Sequence, residues 1–182
     1  MLLKLLIAGS GGQGVLTIGN VLGNAAMLDD YFVTYLPSYG AAMRGGTANC
    51  TICISDEEVA SPVSSTPDIL VAMNQPSLMA FITRLEAGGQ LLYNADLVDT
   101  VPERHDVDLF GAPVNRIGRD LGSERGANIV MLGALVKLIK IVKIETVITS
   151  IDMMMGSKKK LAESSVKALQ AGYDGFPFEN TR

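Results

Sequence analysis

The stretch LLKLLIAGSGGQGVLTIGNVLGNAAML, residues 2–28, decides the fold. Residues 2–8 are a short, nearly uninterrupted apolar run bounded by glycine, the pattern of a strand buried on both faces of an α/β sheet. Across residues 13–28 the apolar positions Val15, Ile18, Leu22 and Ala25 recur at spacings of three, four and three, so one helical stripe faces that sheet. A central strand, a glycine turn and a helix therefore follow in order.

Working outward, residues 31–36 are β-rich and stop at Pro37, and residues 47–55 form another β-rich run leading into the acidic turn Ser55-Asp56-Glu57-Glu58. Residues 37–46 between them are a loop. Residues 69–73 read as a strand, 76–85 as a helix opened by proline, and 90–94 as a strand after Gly88-Gly89, a second βαβ unit. Residues 100–112 are polar and punctuated, and helices are predicted over 113–121, 128–142, 145–154 and 157–171. The expected fold is a three-layer α/β/α Rossmann-like domain with a mostly parallel or mixed central sheet and a helical C-terminal part. Residues 1–182 read as one domain, because no linker long enough to divide them occurs.

A length of 182 residues supports a full hydrophobic core without disulfide or metal staples. Fifteen Lys and Arg against nineteen Asp and Glu give a net charge of −4, with no basic cluster dense enough for a phosphate backbone. Nucleic acid is thereby disfavoured, and with five Tyr, five Phe and no Trp there are few stacking platforms for single strands. The apolar run at the start ends at Gly9, before a signal-peptide core is complete, so the start reads as a mature N-terminus. Residues 129–142 are too short and, with Lys137 and Lys140, too charged to span a bilayer. Two cysteines cannot supply four thiolates to an iron-sulfur cluster, and a reducing cytoplasm is the expected compartment.

Gly9-Ser10-Gly11-Gly12-Gln13-Gly14 has G-x-G-x-x-G spacing between a strand and a helix, where backbone N–H groups and the helix dipole attract a phosphate or carboxylate. A nicotinamide site also needs an acid at the end of the second strand, and that strand ends Tyr35-Leu36-Pro37-Ser38. Two readings of the turn stay open: an anion cradle, or glycines that only permit a tight turn and close packing. The loop at 37–46 holds Ser38, Tyr39, Arg44, Gly45, Gly46 and one further glycine, a composition that suits contact with a ligand. Arg44 beside Gly45-Gly46 can offer a guanidinium fork and exposed backbone N–H groups, or pair with a neighbouring acid.

Cys50 and Cys53 have redox-motif spacing, but they lie in a β-rich run rather than at a helix start, and a separation of three points them to opposite faces. Core packing is the expectation. His105 is the only histidine and falls in a polar stretch, so a histidine triad is excluded and a solvated loop residue is expected. Lys158-Lys159-Lys160 reads as a solvated face. A helix over 129–142 is apolar nearly all round, so either the later helices or another subunit must cover it.

Taken together, the glycine turn, the run Pro37-Ser38-Tyr39-Gly40 through Met43-Arg44-Gly45-Gly46-Thr47-Ala48-Asn49-Cys50, and Asn128-Ile129-Val130-Met131-Leu132-Gly133-Ala134 resemble the gamma subunit of 2-oxoacid:ferredoxin oxidoreductases. The resemblance covers nearly the whole chain and points to the 2-oxoglutarate and branched-chain (2-oxoisovalerate) members, within the pyruvate/ketoisovalerate oxidoreductase catalytic domain family. It implies a complex that decarboxylates a 2-oxoacid on thiamine diphosphate, passes electrons through iron-sulfur clusters to ferredoxin, and transfers the acyl group to coenzyme A. Thiamine diphosphate, Mg²⁺ and the clusters would sit on alpha, beta and ferredoxin-like delta partners, because this chain lacks a four-cysteine set, a G-D-G tripeptide and an N-N ending. The chain alone should therefore be inactive, and the apolar helix over 129–142 with its neighbouring surfaces should make it a homodimer when isolated. The implied anion-binding set is Gly9, Gly11, Gly12, Gln13, Gly14, Ser38, Tyr39, Arg44, Gly45, Gly46, Thr47 and Asn128, converging on coenzyme A or the acyl-thiamine intermediate. A stand-alone nucleotide-binding protein and a purely structural assembly subunit are the alternatives.

Overall fold

A computed structural model describes residues 1–39, 47–59 and 66–175. Six strands form one mixed sheet: β1 (Leu2–Ser10), β2 (Phe32–Tyr39), β3 (Thr47–Ser55), β4 (Ile69–Ala72), β5 (Gln90–Asn94) and β6 (Asp108–Ala112). Their order is β2-β3-β1-β4-β5-β6. β1, β4, β5 and β6 run parallel, while β3 is antiparallel to both β1 and β2. The helices are α1 (Val15–Leu28), α2 (Gln75–Phe81), α3 (Val114–Asp120), α4 (Ala127–Ile139), α5 (Ile144–Met155) and α6 (Lys159–Asp174).

The sheet separates two apolar cores. On one face Leu5, Ile7, Ile52 and Val71 meet Ile18 and Leu22 of α1 and the Leu132 region of α4, with Val147 of α5 and Leu169 of α6 behind them. On the other face Leu6, Leu70 and Leu91 pack against Leu78 of α2, Ile82, Val98 and Val107. This is the expected α/β/α layering. Val15, Ile18, Leu22 and Ala25, the stripe read from spacing, are all buried.

Several elements differ from the sequence reading, among them α2, which ends at Phe81 rather than at residue 85, and α6, which runs to Asp174 rather than to residue 171. β2 continues through Pro37 to Tyr39, because Pro37 pairs with Cys50 on an edge strand where a missing N–H can face away from the ladder. β6 lies within the stretch taken as polar and punctuated, where five residues pair parallel to β5. The apolar helix ends at Ile139 rather than Val142, with Lys140 in the left-handed region at φ +57°.

That helix, α4, is covered by the chain itself. A Cβ on Gly133 would overlap the backbone carbonyl of Leu169, and one on Gly172 would overlap that of Val130, so α4 and α6 cross backbone to backbone. The expectation of a homodimer rested on this apolar surface, which α6 and α3 bury internally. Cys50 and Cys53 are both buried and unbridged, as expected of core residues. Burial pushes the Cys50 thiol up to about 12, only partly offset by its hydrogen bond with Tyr35. His105 is solvated beside Glu103, with Nε2–Oε1 at 2.9 Å, and Lys158, Lys159 and Lys160 are exposed. No helix among the described residues is long and apolar enough to cross a membrane.

Candidate functional site

Parallel strands β1, β4, β5 and β6 end at one edge of the sheet, the edge at which open α/β sheets bind ligands. The glycine turn leaves β1 there. β2 runs in the same sense as β1, because both are antiparallel to β3, so the described ends of the 37–46 region reach the same edge: Thr47 pairs with Ser10, and Tyr39 with Ala48.

The glycines of the turn divide by role. Gly9 is a packing residue: a Cβ would stand 2.7 Å from Val15 Cγ1 and 3.0 Å from Met73 Cβ. Gly14 caps α1 in the left-handed region at φ +70°, and a Cβ there would overlap the Asn128 amide. Gly12, at φ +91°, has nothing within 4 Å of the Cβ position, and Gly11 is exposed beside it. Close packing therefore accounts for Gly9 and Gly14 but not for Gly12, whose Cβ position is open. α1 has neither a side-chain cap nor an acid in its first turn, so its leading N–H groups and positive dipole end remain available to an anion.

Gln13 is folded inward. Its Oε1 accepts from Ser10 N and from Asn74 Nδ2, both at 2.7 Å, and its Nε2 donates to Met73 O at 3.3 Å. Asn128, far away in sequence, donates from Nδ2 to Gly14 O at 3.4 Å. The structure thus brings Gly11, Gly12, Gln13, Gly14 and Asn128 together, with Thr47 next to Ser10 through the ladder. Ser38 and Tyr39 lie on β2, two positions from β1 with β3 between them. Arg44, Gly45 and Gly46 fall outside the described residues.

Four further residues join this edge: Asn74 after β4, Asn94 at the end of β5, Asn115 in α3 and Arg125 just before α4. Asn94, fully buried, donates to Met73 O at 3.2 Å and to Asn115 Oδ1 at 2.8 Å. A cavity of about 210 Å³ opens between Gly12, Gln13, Asn115, Glu124, Arg125 and Asn128. A second, of about 270 Å³, also lies against Arg125 and Asn128 and continues toward Thr17, Ser123 and Ser164. Glu124 is held by Arg119 at 3.0 Å, whereas Arg125 is exposed and has no acidic partner among the described residues. A signal for the two strand-end residues existed in the sequence: each directly ends or follows a strand at the ligand-binding edge.

The donor set suits an oxyanion rather than a resident metal. Among the described residues no three of His, Cys, Asp and Glu cluster, and the two buried thiols cannot complete an iron-sulfur cluster.

Comparison with known proteins agrees with this architecture. The 2-oxoglutarate synthase subunit KorC of Methanothermobacter marburgensis is 37% identical over 177 residues, covering 93% of this chain and 94% of that protein. The ketoisovalerate oxidoreductase subunit VorA of the same organism is 38% identical over 172 residues, 94% of this chain; the chain spans only 36% of its length. The crystal structure of the keto/oxoacid ferredoxin oxidoreductase gamma subunit from Geobacter sulfurreducens PCA superposes with a TM-score of 0.81 at 29% identity, over 94% of this chain and 96% of that one. The sequence further matches the pyruvate ferredoxin/flavodoxin oxidoreductase pattern over residues 4–175, and the chain belongs to that family.

Proposed function

We propose that this chain is the gamma-type subunit, acting as one domain, of a multi-subunit cytoplasmic 2-oxoacid:ferredoxin oxidoreductase that acylates coenzyme A. Its 2-oxoacid is 2-oxoglutarate or a branched-chain acid. The observation that carries this reading is the match to KorC over nearly the full length of both chains. In the reaction a 2-oxoacid loses CO₂, its acyl carbon passes to the coenzyme A thiol, and two electrons leave for two oxidised ferredoxins. Thiamine diphosphate, Mg²⁺ and the iron-sulfur clusters belong to alpha, beta and ferredoxin-like delta partners; they supply the electron sink and the electron path. This chain's residues bind and orient instead: the α1 entry, Gln13, Asn128 and the 37–47 region bearing Arg44 receive an anionic group of coenzyme A and hold it at the partners' reacting centre.

The test is to purify the complex through a tag on this chain and assay it with a panel of 2-oxoacids and coenzyme A. The expected result is co-purifying partners, ferredoxin reduction that requires coenzyme A, and the highest kcat/KM with 2-oxoglutarate or 2-oxoisovalerate. Ferredoxin reduction by the isolated chain at the rate of the complex would overturn the division of labour. Within the assembled complex, Arg44→Ala should cost about 1.5–3 kcal/mol of transition-state binding, read as a raised KM for coenzyme A or a lowered kcat. Wild-type kinetics in that variant would show that Arg44 has no ligand role.

A further inference from the structure

The carboxamides at the sheet edge have their orientations fixed by backbone groups that can act in only one sense. Asn94 must present oxygen to the Asp96 N–H at 3.2 Å and nitrogen to the Met73 carbonyl. Its remaining N–H therefore meets Asn115, which can answer only with Oδ1. Among the described residues the Nδ2 of Asn115 has no acceptor, so both its N–H groups are left for the cavity it lines. The same reasoning applies to Gln13, whose Oε1 is occupied by Ser10 N and whose Nε2 keeps one N–H beyond the bond to Met73 O. Asn74 has no donor left over: its Oδ1 accepts from Ser77 N and its Nδ2 serves Ser10 Oγ and Gln13 Oε1. Arg125 adds five donors and no acceptor. Among the described residues the one acid on the cavity, Glu124, pairs with Arg119.

We infer that Asn115, Gln13 and Arg125 form a donor-rich receptor for a phosphate-type oxyanion, with buried Asn94 as the positioning residue that turns the Asn115 amide nitrogen toward the ligand. The phosphate source rests on the reading of the chain as a subunit that handles coenzyme A; the receptor geometry does not. A phosphate group at neutral pH is anionic and presents mainly acceptor oxygens, which matches the donors that this relay leaves exposed. A reversed Asn115 would set an oxygen against the anion.

The probe is inorganic pyrophosphate, titrated calorimetrically into the full chain, with 2-oxoglutarate as competitor. Asn115→Asp exchanges the donor nitrogen for a carboxylate oxygen yet keeps an acceptor for Asn94, and an acid in the first turn of α3 favours that helix, so folding is preserved. It should weaken pyrophosphate binding by at least about tenfold, and Arg125→Gln by at least about fivefold, through loss of charge-assisted bonds. Asn94→Leu should weaken binding about three- to tenfold in the wild-type background and not at all in an Asn115→Ala background, because its effect passes through Asn115. Equal weakening in both backgrounds overturns the positioning role. Unchanged affinity in Asn115→Asp and Arg125→Gln overturns the receptor, and decides the matter even where Asn94→Leu does not fold. Displacement of pyrophosphate by 2-oxoglutarate at lower concentration than by coenzyme A overturns the phosphate assignment in favour of a carboxylate. A chain that binds pyrophosphate as expected but gathers no partner subunits keeps this inference and removes the proposed function. A fully active complex whose variants keep the wild-type KM for coenzyme A does the reverse.

Discussion

At the entry to α1, Gly12 sits at φ +91° with nothing within 4 Å of where a Cβ would stand, whereas Gly133 of α4 and Gly172 of α6 face space already filled by the opposite helix's backbone. In the first region glycine keeps a surface open and sets a left-handed turn. In the second it lets two helices approach until their carbonyls occupy the side-chain volume. Gly14 stands between these cases, with both a positive φ and the Asn128 amide against it. The difference separates what the molecule leaves accessible to a ligand from what it spends on closing its own apolar helix.

The largest effect tests the closed region. Gly172→Val must push α6 away from the Val130 carbonyl, and overpacking against backbone has no flexible side chain to absorb it. We expect a loss of about 3 kcal/mol or more. The midpoint of thermal unfolding should fall by roughly 6–12 °C. A midpoint within a degree of wild type would mean that the helices cross elsewhere.

Gly14→Ala comes next. A left-handed alanine costs about 1–2 kcal/mol, and displacing the Asn128 amide adds to it, for a total of about 2–4 kcal/mol. The double variant Gly14→Ala/Asn128→Ala should recover the packing part but not the backbone part, a non-additivity readable in denaturant unfolding. Strict additivity would break the claimed contact.

The layered fold was legible because its main elements carry strong periodic signals: the uninterrupted residues 2–8 and the 15, 18, 22, 25 stripe need no tertiary information. The missed β6 shows the limit. Its five residues acquire strand character from pairing with β5, not from their own pattern. The glycine turn and Asn128 were legible as motif residues, but Asn115 and Arg125 gain meaning only when folding carries them to Gly12. In the sequence Asn94 is only a strand end; the positioning role proposed for it depends on Met73 after β4, Asp96 after β5 and Asn115 in α3. The covering of α4 was undecidable from composition, because an apolar helix looks the same whether its cover is α6 or another chain.

Cys50 offers a pH-dependent test of the filled kind of glycine contact. Its Sγ lies 2.6 Å from where a Cβ on Gly19 would stand, and it donates to Val15 O at 3.7 Å. In the unfolded chain the thiol ionises near 9.0, whereas burial in the native state holds it protonated to about 12. The unfolded state therefore releases its proton first as pH rises, so the contribution is complete below pH 9 and disappears between 9 and 12. We expect stability to fall there by on the order of 1 kcal/mol per pH unit from this group, a slope missing in Cys50→Ala. Equal alkaline slopes in the two proteins would show that the thiol is not shielded.

The smallest effect on stability should come from Gly12→Ala, and for that reason it isolates the open region best. Gly12 has the positive φ of Gly14 without the neighbour, so only the backbone cost remains, about 1 kcal/mol. The added methyl projects into the space beside Gln13 and Asn115 where the ligand's oxygens would approach the α1 entry. A variant with nearly wild-type unfolding and clearly weakened pyrophosphate affinity is the expected outcome, the inverse of Gly172→Val, where stability falls at a glycine that lines neither cavity. Were Gly12→Ala to bind pyrophosphate as tightly as wild type, the open space at the turn would have no part in recognition, and the donors of Asn115 and Arg125 would have to hold the anion from the far wall of the cavity.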